Sequence, residues 1–417
     1  MFLAVEYMVL ESIKNVWRRM KKLQRAFKTE LLLTKEQKSK FTQSVGICRW
    51  LYNHYLAKNN ELYQSYKDGK ITKKEAFVRA NDFDKYINNE VKCQNEFNWI
   101  SIFGSKARKK AIVNAETAYK RFFNGQAEFP RFKKKNKQQV KLYFPKNNKT
   151  DWSVERHRIK IPTFGWVQLK EKGYIPTQIK IISGTVSQKA DRFYVSVLFE
   201  VNYKESYIEN KQTDGIGIDL GLKEFAIISD GKVYKNINKT KRIKSLERKL
   251  KREQRKLSRK YESLKQNKRK GGSATRQNIQ KQVLKVQKLH ITLTNIRTDY
   301  INKIVASIIK RNPSYITIED LNVKGMMKNK HLSKAVSQQK FYEFRRIVEY
   351  KCKWNNIELR IVDKFYPSSK ICSCCGQKKA DLKLSDRIYE CENCETVIDR
   401  DLNASMNLKN AKEYKVA

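Results

Sequence analysis

Residues 215–237, GIGIDLGLKEFAIISDGKVYKNI, decide the fold. GIGIDL and EFAIIS are β-branched runs of strand length, and KVYKNI is a third. Asp230-Gly231 between the last two reads as a two-residue hairpin turn, since glycine supplies the positive φ that such a turn demands. The first run closes on an acid, Asp219. Downstream, Ile243, Leu246, Leu250, Leu257, Tyr261 and Leu264 recur at helical spacing over residues 241–264. Gly271-Gly272 breaks that pattern, and a second long helix is expected over 276–311. The two helices form a hairpin with a strongly basic outer face. SYITIED (314–320) is then a strand ending in Glu319-Asp320, QQKFYEFRRIVEYKCKW (338–354) a helix, and IELRIVDKF (357–365) a strand. A last helix starts at Asp401.

Three strands in a meander, a helical excursion, a strand, a helix and a strand follow the order of a ribonuclease-H-like sheet. In that topology the first and fourth strands are neighbours, so Asp219 and Glu319 meet at adjacent strand ends. Asp401, at the head of the last helix, can approach the same point. Each acid alone has a plainer reading as a turn cap, a helix start or an N-cap. Together, two apolar strands each end in an acid and the third arrives in the right order. Carboxylates gathered at one point repel one another unless cations lie between them. Two magnesium ions would serve, in the manner of phosphodiester hydrolysis, and the cluster should titrate as a coupled set. Asp399 and Asp320 are neighbouring alternatives, Asp320 facing away from Glu319 if the strand continues.

Cys372, Cys375, Cys391 and Cys394 give C-x2-C, fifteen residues, C-x2-C, the spacing of a zinc ribbon. Four thiolates close the coordination sphere, so this zinc is structural, and it supplies much of the ribbon's folding energy. Cys374 competes for the first knuckle. Cys375 is preferred because it directly precedes Gly376, which suits the knuckle turn. Cys48, Cys93 and Cys352 lie far apart on apolar stretches, which is the usage of a reducing compartment. His54, His157, His290 and His331 are scattered and are assigned no catalysis. A nucleotide-driven motor is excluded by the lack of a GxxxxGK[ST] loop.

The 417 residues are too many for one ordinary core, and 90 Lys+Arg against 42 Asp+Glu leave a formal charge of +48. With 40% hydrophobic residues this is a folded polycation whose partner is a polyanion, nucleic acid ahead of any membrane. No apolar run is long enough for a transmembrane helix. Residues 1–19 make a poor signal peptide, with acids and no cleavage site, and Met20 is the more natural start. QRAFKTELLL (24–33) reads as a strand. Helices are expected from Lys35, after Thr72 and from Ser105 to Phe123. After Asn124-Gly125, strand-like runs (FPRFKKKN, KLYFPK, HRIKIPTFGWVQL, YIPTQIKIISGTVS, RFYVSVLFEV) describe a small basic β-barrel. Its aromatics interleave with Lys and Arg as on a nucleic-acid backbone surface. KESYIENKQTD separates that barrel from the sheet.

LTKEQ with CRWLYN, FPRFKKK, IPTFGWVQL, GIDLGLKEFAIISDG, IEDLNVKGM, YPSSKICSCCG and DRDLNASMNL together resemble TnpB, the OrfB-type protein of bacterial insertion sequences related to type V CRISPR effectors. The likeness runs from about Met20 through nearly the whole chain. It implies an α/β plus β architecture: a RuvC nuclease domain with an inserted helical hairpin and zinc ribbon, preceded by a wedge β-barrel that carries a helical recognition insert. On this chain the extension is 1–19, the wedge 20–40 and 126–210, and the recognition domain 41–125. RuvC takes 211–365 and 396–417, and the ribbon 366–395. The resemblance further implies a monomeric ribonucleoprotein in the prokaryotic cytoplasm, associated with the nucleoid. A transposon-derived guide RNA pairs with double-stranded target DNA beside a short motif, and both strands are cut. Asp219, Glu319 and Asp401 take the three magnesium-binding acids. Ser405 stands where the family often has Ala. Relatives that lost these acids bind DNA without cutting, and a transposase performing strand transfer is the other alternative. The intact acid set and the ribbon before the third acid speak against both. Broad positive charge also suits a heteroduplex held by its backbone.

Overall fold

A computed structural model describes residues 21–135, 141–146, 151–203, 214–266, 274–383 and 385–417. The extension 1–19, most of the separating segment (204–213) and Gly271-Gly272 lie outside them. The chain divides into two compact units, residues 1–204 and 205–417.

The first unit opens with β1 (Lys21–Leu32) and α1 (Lys35–Lys67). Thr34 stops the strand and starts the helix: its hydroxyl accepts from Gln37 N at 3.2 Å while Gln37 Oε1 accepts from Thr34 N at 3.1 Å, a reciprocal capping box. After α2 (Ala80–Tyr86) comes α3 (Ser105–Phe123), the span expected from the sequence. Leu51, Tyr55 and Leu56 on α1 are buried with Ile112 and Ala115 on α3. The strands are β2 (Lys141–Pro145), β3 (Ser153–Val154), β4 (Arg158–Ile161), β5 (Gly165–Leu169), β6 (Ile181–Lys189) and β7 (Arg192–Tyr203). With β1 they make one antiparallel sheet in the order β2-β6-β7-β1-β5-β4-β3. On β7, Val195, Val197 and Phe199 alternate into the core.

Three local expectations fail here. FPRFKKK forms no strand over its described residues. Pro130 lacks the N–H a ladder needs, and Lys133 gives its backbone N–H and C=O to the Asn53 amide at 2.8 and 3.0 Å. The helix expected after Thr72 begins only at Ala80. Glu75 instead accepts from both the N–H and the hydroxyl of Thr72, folding residues 72–75 into a turn. YIPTQIK is irregular up to Ile181, again behind a proline, Pro176.

The second unit is the expected α/β sheet. The meander is β8 (Ile216–Leu220), β9 (Glu224–Ile228) and β10 (Val233–Lys235). The hairpin α4 (Lys241–Gln266) and α5 (Ala274–Ile309) follows, then β11 (Tyr315–Glu319) and two short helices, α6 (Val323–Met326) and α7 (Ser333–Gln339). Next come α8 (Phe341–Trp354), β12 (Glu358–Val362), the ribbon strands β13 (Ile388–Glu390) and β14 (Val397–Asp399), α9 (Arg400–Lys409) and β15 (Lys415–Val416). The sheet order is β10-β9-β8-β11-β12-β15, with β8, β11 and β12 parallel. The edge pairing of β15 on β12, the short helices α6 and α7 and the ribbon strands β13 and β14 go beyond the sequence reading. Ile301, Ile304, Val305 and Ile308 of α5 and Phe341, Phe344, Ile347 and Val348 of α8 are buried with the strand residues Ile218, Ile316 and Ile318. Tyr261, expected on the α4 stripe, is 45% exposed.

A candidate carboxylate centre and cysteine quartet

Parallel pairing sets the first two acids side by side. Ile218 on β8 is in register with Ile318 on β11, so Asp219 and Glu319 are the next residues of adjacent strands. The GIDLG turn beyond Asp219 is held by Gln339 of α7, which is buried and donates to the Gly221 carbonyl at 3.2 Å. Glu319 is paired across to Val362 of β12, and the Asp320 N–H returns to the Val362 carbonyl at 2.9 Å. Asp320 is exposed and ion-paired to Arg345, and both line the same cleft as Glu319.

The third acid arrives on α9. Asp399 is its N-cap: the carboxylate accepts from Asp401 N and Leu402 N, both at 3.0 Å. Asp401, two residues on, is close enough that its charge acts on Asp219. Burial pushes the Asp219 carboxyl up to about 7, reinforced by the charges of Asp401 and then Glu319, and offset by Arg400 and the Leu220 N–H. Burial, then the charge of Asp320, pushes Glu319 up to about 7 as well. Arg400 donates to one oxygen of Asp401 from Nε at 3.2 Å and from Nη2 at 3.0 Å. Sequence reasoning passed over Arg400, although it stands between two acids in DRDLN. An all-oxygen donor set short of positive charge suits a hard divalent cation. The acids do not gather as tightly as the cysteines, which among the described residues are the set whose ligand atoms all lie within 4.8 Å of one another.

That quartet is Cys372, Cys375, Cys391 and Cys394, and Cys374 is exposed beside it. The Cys372–Cys394 and Cys375–Cys391 sulfurs are 3.6 and 3.5 Å apart. Tetrahedral zinc with Zn–S bonds of about 2.3 Å needs sulfurs about 3.8 Å apart, so the set fits that ion. The first knuckle turns at Gly376, φ 78°, and the second at Glu395, φ 55°, a conformation that favours glycine. Burial pushes the Cys372 thiol up to about 12, while the Thr396 hydroxyl and N–H pull Cys394 down to about 6. Tyr389, fully buried behind the quartet, donates to the Gln377 carbonyl at 3.2 Å.

Ribbon and last helix are stitched together by two asparagines that the sequence reading did not single out. Asn403 accepts from Ser373 N at 2.8 Å and donates to the Ile371 carbonyl at 2.7 Å. Asn407, one turn later, donates to the carbonyls of Ser368 at 2.7 Å and Ile371 at 2.6 Å. Their i, i+4 spacing puts both amides on one face of α9. The helix that carries Asp401 is therefore fixed against the first knuckle.

Residues 198–330 match the family described as "Probable transposase", residues 341–408 the "Cas12f1-like, TNB domain", and residues 20–68 a "Helix-turn-helix domain". The last span is here one strand and one long helix among its described residues. "Putative RNA-guided DNA endonuclease InsQ" of Escherichia coli (strain K12) is 30% identical over 93% of this chain and 92% of its own length. A "Putative RNA-guided DNA endonuclease" of Streptomyces pristinaespiralis is 28% identical over 93% of this chain and 89% of its own. In fold, the chain is similar to the protein in a Cas12f1–sgRNA–target DNA complex, with a TM-score of 0.50 at 14% identity, covering 94% of this chain and all of that one. No helix among the described residues is long and apolar enough to cross a membrane.

Proposed function

Given that the chain belongs to the TnpB (OrfB) family, we propose that it is an RNA-guided DNA endonuclease: a guide RNA pairs with target DNA beside a short motif, and the Asp219–Glu319–Asp401 centre hydrolyses both strands. The observation that carries this reading is the meeting of carboxylates from β8, β11 and α9 around Asp219, with Asp219 and Glu319 held near 7 by burial and then by neighbouring acidic charge. Such a centre gains most from divalent cations. Two magnesium ions held by the three acids would activate the attacking water and stabilise the leaving oxygen.

The chain's own residues supply the rest. Strand register holds Asp219 and Glu319 at fixed spacing, Asp399 caps α9 and so aims Asp401, and Arg400 partly neutralises Asp401. The four cysteines would hold a structural zinc, and the ribbon keeps α9 in place through Asn403 and Asn407. The sheet and helices of the first unit act as wedge and recognition regions. There Arg49, Lys110, Lys133 and Lys141 line one cleft, suited to nucleic-acid phosphates. The excess of +48 serves backbone binding along a heteroduplex, by one chain per guide RNA.

The test is cleavage by the protein co-expressed with its native flanking DNA and purified with its RNA. Asp219→Ala, Glu319→Ala and Asp401→Ala should each lower cutting more than about 100-fold, the upper end of what even outer partners of metal ligands cost. RNA binding should remain. Free DNA ends support hydrolysis, whereas joined ends would mark a strand-transfer enzyme. Target binding without cutting by the wild type would mark a guided repressor.

A further inference from the structure

Beside Glu319 lies a cleft of 410 Å³ that the chemistry above leaves unused. The acid forms part of its wall, together with Lys324, Tyr342, Arg345 and Lys364. Phe341 and Tyr342 divide the start of α8 between them. Phe341 is buried and stacked near Phe225, while Tyr342 is 71% exposed on the cleft. Phe365, 81% exposed, follows three residues after Val362, the partner of Glu319, and Lys364 Nζ lies 4.6 Å from its ring centroid. Arg345 is engaged by Asp320, and Lys324 and Lys364 are the other cations of the cleft wall.

A large ring left this exposed gives up favourable burial, so its position next to an essential acid calls for an occupant. A phosphodiester held at Glu319 would bring the adjoining nucleotide to this cleft, because Glu319 forms part of its wall. Duplex DNA has no free base face to offer an aromatic ring. An unpaired strand does, and its backbone needs the two lysines. We propose that Tyr342 is a strand-positioning residue: its ring stacks the unpaired base next to the scissile phosphate while Lys324 and Lys364 take the flanking phosphates. This rests on the nuclease reading of the carboxylate centre, and its test has an arm that does not depend on cutting.

In that arm, single-stranded DNA carrying 2-aminopurine is titrated into the RNA-bound Asp219→Ala protein with and without Tyr342→Ala. Stacking on Tyr342 quenches the fluorophore, and the double variant should lose the quench. In the cutting arm, Tyr342→Ala should slow cleavage of a target with a preopened bubble about tenfold or spread the cut positions, with guide and target affinity unchanged, while Tyr342→Phe and Tyr342→Trp restore it. An exposed side chain can be changed without unfolding the protein, and equal thermal midpoints verify this. Equal quench with and without Tyr342, or wild-type rate and cut positions in Tyr342→Ala, would overturn the proposal. A Tyr342-dependent quench in a wild-type protein that never cuts would sustain the strand site and defeat the nuclease reading.

Discussion

The backbone of Gly217 lies against that of Ser405 so closely that a Cβ at Gly217 would sit 2.0 Å from the Ser405 carbonyl oxygen. It would also sit 2.4 Å from Lys409 N. Strand β8, which carries Asp219, and helix α9, which carries Asp401, thus meet backbone to backbone. Gly217→Ala must push the helix away. Overpacking of this kind costs about 1–3 kcal/mol, so the thermal midpoint should fall. Cleavage should fall further than the remaining folded fraction explains, because two acids separate. A variant with normal midpoint and normal cutting would show that α9 is not set by this contact.

Metal-free stability should depend on pH through the acid cluster. Asp219 and Glu319 ordinarily titrate at 3.8 and 4.5 and are raised to about 7 in the folded chain. Between those values the folded state binds protons that the unfolded state has released, so unfolding free energy drops as pH rises. Without divalent cations, the wild type should therefore lose ground to Asp219→Asn between about pH 5.5 and pH 8. Magnesium should close that gap at the higher pH by stabilising the wild type more. A difference between the two proteins that stays constant with pH would remove the burial argument for Asp219.

If the quartet holds zinc, Cys391→Ser should abolish its binding, whereas Cys374→Ser should leave it, because Cys374 stands outside the quartet. Metal analysis of the purified proteins decides this directly. Cutting should fall with the zinc, since Asn403 holds both the first knuckle and the helix of Asp401. Unchanged zinc content in Cys391→Ser would mean a different ligand set.

Guide and target affinity should fall steeply with salt. Each phosphate neutralised by Lys or Arg releases counterions, and the slope of log affinity against log salt counts them. With 90 Lys+Arg spread over the whole chain, many such contacts are expected. A shallow slope in a binding titration would point to recognition by a few base contacts instead.

The second unit was legible because its signals are local and strong. Hydrophobic strands ending in Asp219 and Glu319 fix both element and register, and C-x2-C spacing fixes the knuckles. Asp401 was already preferred over Asp399 on the resemblance, and the structure adds that the Asp399 carboxylate caps α9. The pairing of Asn403 and Asn407 with the ribbon was invisible for a different reason. An asparagine in a helix looks alike whether its amide meets water or a carbonyl more than thirty residues away. In the first unit, FPRFKKK misled because its aromatic and basic residues suit a strand, while the decisive partner, Asn53, is 80 residues distant. Tyr342 was passed over because alternation with Phe341 reads the same whether the outward ring meets solvent or a ligand.

The stitching of ribbon to helix also has a consequence in time. Asp219 and Glu319 are united by sheet pairing alone, but the chain reaches Asp401 only after passing through the cysteine quartet. If zinc closes the ribbon, metal supply becomes a licence issued after the rest of the sheet has formed. Without that metal the chain would hold Asp219 and Glu319 together while leaving α9, and Asp401 with it, unfixed.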